Sequence, residues 1–338
     1  MPQERLRQAE IAAAATDEKV QLVDGAVLPR RPISPEPLRS TSFAIAAGLM
    51  AGIAFALLRE LRDRSVRTRA QLLALTNSPV LSLIPRVHGP RRKESNALTD
   101  SGDSSPPANY AINDLFSFAE SYTRLVTNLG FAGHSQPIQV LLVTSALPGD
   151  GKTTVATNLS LTLAREGKRV LLIDGDLRGG QIAGMMRLAS TSGFGEALKQ
   201  QTDLGKSVSQ LFAGDRCTLH VLARGRSAIA DPAAALASDA PRELLANARG
   251  IYDMIVIDSP PVNTVADAAL LSRHCDGVLV VARAGATGRD ALKFAMEQLH
   301  IVHAPVVGAV LNDVDLRRDS GADTAYQYYG QYPSRSTA

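Results

Sequence analysis

Between an apolar run, Ile138-Gln-Val-Leu-Leu-Val-Thr144, and a helix expected over Thr153–Glu166 lies Ala146-Leu-Pro-Gly149-Asp-Gly151-Lys152-Thr153-Thr154. No other feature restricts the fold of this chain so tightly. Gly149 and Gly151 let successive backbone N–H groups curl around an anion without Cβ clashes. The helix that follows aims its positive end at the same point. Such a loop needs a strand behind it and a helix ahead of it. Lys152 is then placed to reach the β- and γ-phosphates of a nucleotide, and the Thr153 hydroxyl to ligate Mg²⁺. The usual pattern opens with Gly where this chain has Ala146, which requires negative φ there.

Further apolar, β-branched runs occur at Val170–Ile173, Met254–Ile257, Gly277–Val281 and Val306–Leu311, with helical stretches between them. One such run is ambiguous between buried helix and strand. Repeated alternation indicates an α/β domain with a mostly parallel sheet covered on both faces. Two of these runs end on acids. Asp258 closes Ile251-Tyr-Asp-Met-Ile-Val-Ile-Asp258-Ser-Pro-Pro261, and Asp174 and Asp176 close Leu171-Leu-Ile-Asp174-Gly-Asp176-Leu-Arg178. Carboxylates at the C-terminal ends of buried strands face the crevice where open α/β sheets take ligands. There they suit a cation and an attacking hydroxyl.

The N-terminal third has a different character. Residues 1–105 hold 15 Lys/Arg against 11 Asp/Glu, whereas residues 106–338 hold 21 against 22. The basic excess is therefore outside the α/β body, and with no Trp and few aromatics no nucleic-acid partner is expected. Thr41–Leu58 carries no charge. Eighteen helical residues rise about 27 Å, close to a bilayer's hydrocarbon core. Gly48 and Gly52 form the GxxxG spacing of close-packed membrane helices. Before it, four prolines between Leu28 and Leu38 favour an extended connector. After it, Arg59, Arg62, Arg64, Arg67 and Arg69 suit a cytoplasmic flank against anionic membrane lipid. His88–Asn109 reads as a flexible linker. Cys217 and Cys275 form no CxxC, and the six histidines form no zinc pattern.

Taken together, ALPGDGKTT, LLIDGDLR and IVIDSPP resemble the Walker A, A′ and B motifs of bacterial tyrosine kinases. The Pro-rich stretch, the apolar helix, GIAFALLRELRDRS and PVLSLIP resemble the end of the polysaccharide co-polymerase region fused to such kinases. The resemblance implies a P-loop NTPase domain preceded by one transmembrane helix and a flexible linker. It implies five segments: a co-polymerase remnant at 1–40, a membrane helix at 41–58, a basic juxtamembrane segment and linker at 59–109, a kinase domain at 110–316 and a Tyr-rich tail at 317–338. The implied activity is ATP- and Mg²⁺-dependent tyrosine autophosphorylation linked to capsule or exopolysaccharide export, from a single-pass inner-membrane protein with its kinase domain in the cytoplasm. Implied partners are other copies of the chain, polysaccharide export proteins and a tyrosine phosphatase.

By the same resemblance, Pro148, Gly149, Asp150, Gly151, Lys152, Thr153 and Thr154 hold the nucleotide. Thr153, Asp176 and Asp258 hold the metal, and Asp174 receives the tyrosine proton. Asn312 matches an adenine-contacting Asn of related ATPases, although a turn residue is an equal reading. The tail Ala325-Tyr326-Gln-Tyr328-Tyr329-Gly-Gln-Tyr332 holds four of the seven tyrosines, and the family uses such a cluster as phosphate acceptor.

Three departures stand out. Thr123 and Val126 follow Glu120 where the family often has the two arginines of a ring-forming ExxRxxR, and Arg124 is one place off, about 100° around the helix. The family's first membrane span and periplasmic region have no counterpart, which suits either a short form or a misassigned start. Asp231-Pro232-Ala-Ala-Ala replaces an Asn-Pro and Leu-rich run. Two rival readings are a partition- or septum-site-type positioning ATPase and a non-catalytic ATP-binding switch of an exporter. The first would carry a further Lys where this chain has Leu147.

Overall fold

The computed structural model describes residues 2–15, 37–62, 64–87, 112–132, 137–188, 192–199, 204–212, 218–226 and 229–315. The chain divides into two compact units, with the boundary between Asp63 and Arg64. In the first, α1 spans Pro2–Ala15 and α2 spans Pro37–Arg62. Pro37 at the first turn of α2 is tolerated because the N–H it lacks has no helical partner there. Within α2, Ser40–Arg59 is long and apolar enough to cross a membrane, and its side chains are exposed.

The second unit is built on eight strands: β1 Val80–Pro85, β2 Val140–Ser145, β3 Val170–Asp174, β4 Ser209–Phe212, β5 Thr218–Leu222, β6 Met254–Asp258, β7 Gly277–Arg283 and β8 Val306–Val314. Their order across the sheet is β1-β8-β7-β2-β6-β3-β5-β4. Every pairing is parallel except β4 with β5. Alternation along β2 explains the continuous apolar run. Val140 and Leu142 enter one core cluster, and Leu141 and Val143 the other. Both faces of a parallel sheet are covered, so both register positions along Val140–Val143 are apolar, and the buried hydroxyls of Thr144 and Ser145 at the strand end are hydrogen-bonded to Pro260 O and Leu147 O.

One face carries α4 (Ile112–Ala132) and α5 (Lys152–Arg165) through Leu125, Leu129, Leu159 and Leu163. The other carries α3 (Arg69–Thr76), α10 (Ala240–Arg249), α11 (Asp267–Ser272) and α12 (Arg289–Ile301) through Leu72, Leu244, Leu271 and Leu292. Short helices α6 (Ile182–Met185), α7 (Phe194–Leu198), α8 (Leu204–Ser207) and α9 (Pro232–Ala237) lie in the connections. Asp231 caps α9, accepting a hydrogen bond from Ala234 N at 3.0 Å, so the Asp-Pro dipeptide is a helix start.

Two expectations change. The compact unit begins at Arg64 rather than at residue 110. Residues 64–87, expected within the juxtamembrane segment, belong to this unit, and Val80–Pro85 supplies an edge strand, fully buried, to β8. The β4–β5 hairpin was not anticipated; its strands are short and mixed in polarity. In α4, Arg124 pairs with Glu120 at 3.5 Å within the helix, while Val126 is buried in the core. The linker 88–109 and the tail 317–338 lie outside the described residues.

Candidate functional site

The glycine loop leaves β2 in the middle of the sheet, where β6 and β7 flank it. Ala146 is buried and is not among the positive-φ residues, so its methyl is accommodated. Gly149 and Gly151 adopt φ of 87° and 93°, values an L side chain rarely reaches. Gly151 caps α5, and a Cβ there would also collide with Asn312 Nδ2.

The loop is gripped from within. Asp150 is buried, its Oδ2 accepting from Leu147 N at 3.0 Å and its Oδ1 from Thr287 Oγ1 at 2.6 Å. Burial pushes the Asp150 carboxyl above its ordinary range, against the pull of Thr287 and the Leu147 N–H. Asn312 donates Nδ2 to Asp150 O at 3.0 Å. Its amide therefore braces the loop backbone, and it does not line the phosphate cleft. Thr287 escaped the sequence reading because only the adjacency of β7 and β2 brings it to the loop.

The acids converge beside the loop. Asp174 and Asp258 stand directly opposite each other at the ends of neighbouring β3 and β6. Both are buried, and Oδ1 of each has no hydrogen-bond partner. Burial raises Asp258 to about 7, with Lys152 and Thr153 opposing it and the charges of Asp174 and Asp176 adding to it. Burial likewise raises Asp174 to about 6, opposed by the Ile182 N–H and reinforced by Asp176. Asp176 is half-buried and accepts from Gly179 N at 2.8 Å. Lys152 Nζ lies 3.4 Å from Thr153 Oγ1.

A cleft of about 590 Å³ opens over the loop and Asp176, while the buried Asp174 and Asp258 are not among its lining residues. Its floor holds Pro148, Gly149, Gly151, Lys152, Thr153 and Thr154. Asp176 and Arg178 form one wall, and Met185, Pro260 and Pro261 an apolar lip. Tyr326, Tyr328, Tyr329 and Tyr332, expected as phosphate acceptors, fall outside the described residues. Tyr122 and Tyr252 are buried, and the Tyr252 hydroxyl is hydrogen-bonded to His220 Nδ1 at 2.8 Å. Cys275 is buried and free, and burial pushes its thiol up. His300 and His303 face each other at 6.4 Å between ring centroids.

A glycine loop closing on a helix, with two acidic strand ends beside it, defines a P-loop nucleotide-binding domain. The ParA family model, described as NUBPL iron-transfer P-loop NTPase, matches residues 137–333. The tyrosine-protein kinase YwqD of Bacillus subtilis is 34% identical over 212 residues, covering 63% of this chain and 86% of YwqD. The succinoglycan biosynthesis transport protein ExoP of Rhizobium meliloti is 26% identical over 344 residues, covering 94% of this chain. The solved kinase domain of Escherichia coli tyrosine kinase ETK superposes with a TM-score of 0.66 at 28% identity, covering 76% of this chain and 98% of that domain. The chain belongs to the ParA-type P-loop NTPases and, among them, to the bacterial tyrosine-protein kinases of capsule and exopolysaccharide systems. It spans 43% of the length of ExoP, and less than half of other long relatives.

Proposed function

We propose that this cleft binds ATP with Mg²⁺ and transfers the γ-phosphoryl group to tyrosine hydroxyls, those of the chain's own tail included. The observation that carries this reading is the pair of buried, unpartnered oxygens, Asp174 Oδ1 and Asp258 Oδ1, beside a phosphate loop. Buried carboxylate oxygens without partners are costly, and a cation or an incoming hydroxyl would satisfy them.

Among the described residues no group of three or more His, Cys, Asp or Glu gathers to hold a metal ion. Mg²⁺ bound with a nucleotide does not need one, since one or two carboxylates plus phosphate oxygens and water complete its shell. Thr153, Asp176 and Asp258 fit that donor set. When bound, the ion would neutralise charge on the β- and γ-phosphates.

The chain's own residues then do the following. Backbone N–H groups of the loop and Lys152 hold the phosphates. The tyrosine Oη forms a bond to the γ-phosphorus as the bond from that phosphorus to the β–γ bridging oxygen breaks. The phenolic proton passes to the Asp174 carboxylate, and ADP leaves. An Asp174 titrating near 6 is mostly ionised at pH 7.5, yet basic enough to accept a proton from a hydroxyl under attack on phosphorus.

As the name of ExoP suggests, the protein would act in polysaccharide biosynthesis and transport. It would be held in the inner membrane by Ser40–Arg59, with the α/β unit in the cytoplasm facing anionic lipid. Other copies of the chain, export proteins and a tyrosine phosphatase would be its partners. Phosphotyrosine mapping tests the catalytic core of this reading. Membrane-extracted full-length protein is incubated with ATP and Mg²⁺ beside a Lys152→Ala control. Phosphate on residues 326–332 that is absent from the control is the expected result. Intact ATP binding with no phosphotyrosine would instead favour the non-catalytic switch.

A further inference from the structure

Asp267, the first residue of α11, has a completely buried side chain. It accepts two hydrogen bonds from one guanidinium, Arg178 Nε to Oδ2 at 3.0 Å and Arg178 Nη2 to Oδ1 at 3.3 Å. Arg178 itself is 46% exposed and forms part of the wall of the phosphate cleft, two residues beyond Asp176. Of the charged side chains lining that cleft, Lys152 and Arg178 are the cations and Asp176 the anion.

Stability alone does not explain this arrangement. A carboxylate withdrawn from water while its partner stays half in water recovers little of its desolvation cost, and an apolar residue would fill the site at least as well. What the fork gives is direction. Two parallel N–H···O bonds fix the guanidinium plane, which a single contact would not. The turn carrying Arg178 is pinned as well, since Arg178 N and Gly179 N both donate to Asp176 Oδ1, at 3.2 Å and 2.8 Å. Backbone and head group are thus held separately. Nη1 makes no hydrogen bond among the described residues.

We infer that Arg178 is a catalytic residue that contacts the phosphoryl group in flight, and that Asp267 is the positioning residue that orients it. This inference rests on the reading of the cleft as a phosphoryl-transfer site. In such a transfer, charge spreads over the equatorial oxygens of the moving group, and a preorganised donor aimed there contributes more than a mobile one.

The test uses the full-length protein and two readouts. The first is kcat for phosphotyrosine formation. The second is affinity for ADP with aluminium fluoride, a mimic of the transferring phosphoryl, beside affinity for ADP alone. Arg178→Ala should lower kcat about 100-fold, the scale for losing one oriented donor, and weaken the mimic but not ADP. Asp267→Asn should lower kcat about tenfold through lost orientation, and should add no further loss in the Arg178→Ala background. Multiplying losses in the double variant, or full kcat in Asp267→Asn, would overturn the inference. Should Asp267→Asn fail to fold, Arg178→Lys keeps the buried partner in place. A loss of kcat at unchanged Tm supports the inference, and full kcat refutes it. A wild type that makes no phosphotyrosine would sink the kinase reading by itself. The mimic and ADP affinities would then still decide whether Arg178 meets a phosphoryl group.

Discussion

The hydroxyl of Thr287 donates to Asp150 Oδ1 at 2.6 Å, tying the turn after β7 to the inside of the phosphate loop. The same Thr287 receives Val66 N on its carbonyl at 2.9 Å, so the first residues of the α/β unit rest on the turn that steadies the loop. Thr287→Val keeps the shape and removes the donor. A buried acceptor left unmet costs about 1–3 kcal/mol. Thermal unfolding should report that loss, and ATP titration should report weaker binding. A lower Tm with unchanged ATP affinity would mean that the loop does not depend on this bond.

Gly151→Ala should abolish nucleotide binding, for two separable reasons. The residue sits at φ 93°, where an added Cβ costs about 1–2 kcal/mol, and the same Cβ meets Asn312 Nδ2. Combining it with Asn312→Ala removes the collision and leaves the strain. Partial recovery of ATP binding is therefore expected. Full recovery would show that the backbone angle costs nothing.

Asp258, near 7, and Asp174, near 6, make the ligand-free protein pH-sensitive. Both lie above the unfolded value of about 3.9, so between about pH 4 and 7 the folded chain holds more protons than the unfolded one. Stability from this source is complete below about pH 4 and is lost as pH rises to 7. Asp258→Asn cannot ionise. Its ligand-free form should be more stable than the wild type at pH 8, with the gap narrowing at pH 5. On the proposed reading, Mg²⁺ and ADP take these carboxylates in ionised form, so calorimetry at pH 6.5 should show proton release that disappears at pH 8.5. No release at pH 6.5 would contradict the raised values.

Ile84 is fully buried in β1. Ile84→Ala should destabilise the α/β unit by about 2–5 kcal/mol, as for other core truncations. A neutral effect would show that β1 contributes little to the stability of the unit.

Much of the site was legible because its chemistry is local. Gly149, Gly151, Lys152 and Thr153 sit in one stretch, and Asp174 and Asp258 each end an apolar strand. Asn312 was visible as a residue, but its bond to the loop backbone was not. Thr287 and Asp267 carry no signal in sequence. Each acts on a partner 137 and 89 residues away, and neither falls in a motif.

The sequence by itself determined the elements and their order of use. Repeated short apolar runs alternating with helical stretches indicate strands covered on both faces, and a glycine loop between such a strand and a helix turns N–H groups towards an anion. Tertiary structure decided which strands are neighbours. It placed Asp174 opposite Asp258, recruited Val80–Pro85 as an edge strand, and set Arg178 on Asp267. Such pairings join residues far apart in the chain. Their free energy comes from burial and hydrogen bonds that exist only once the sheet has assembled.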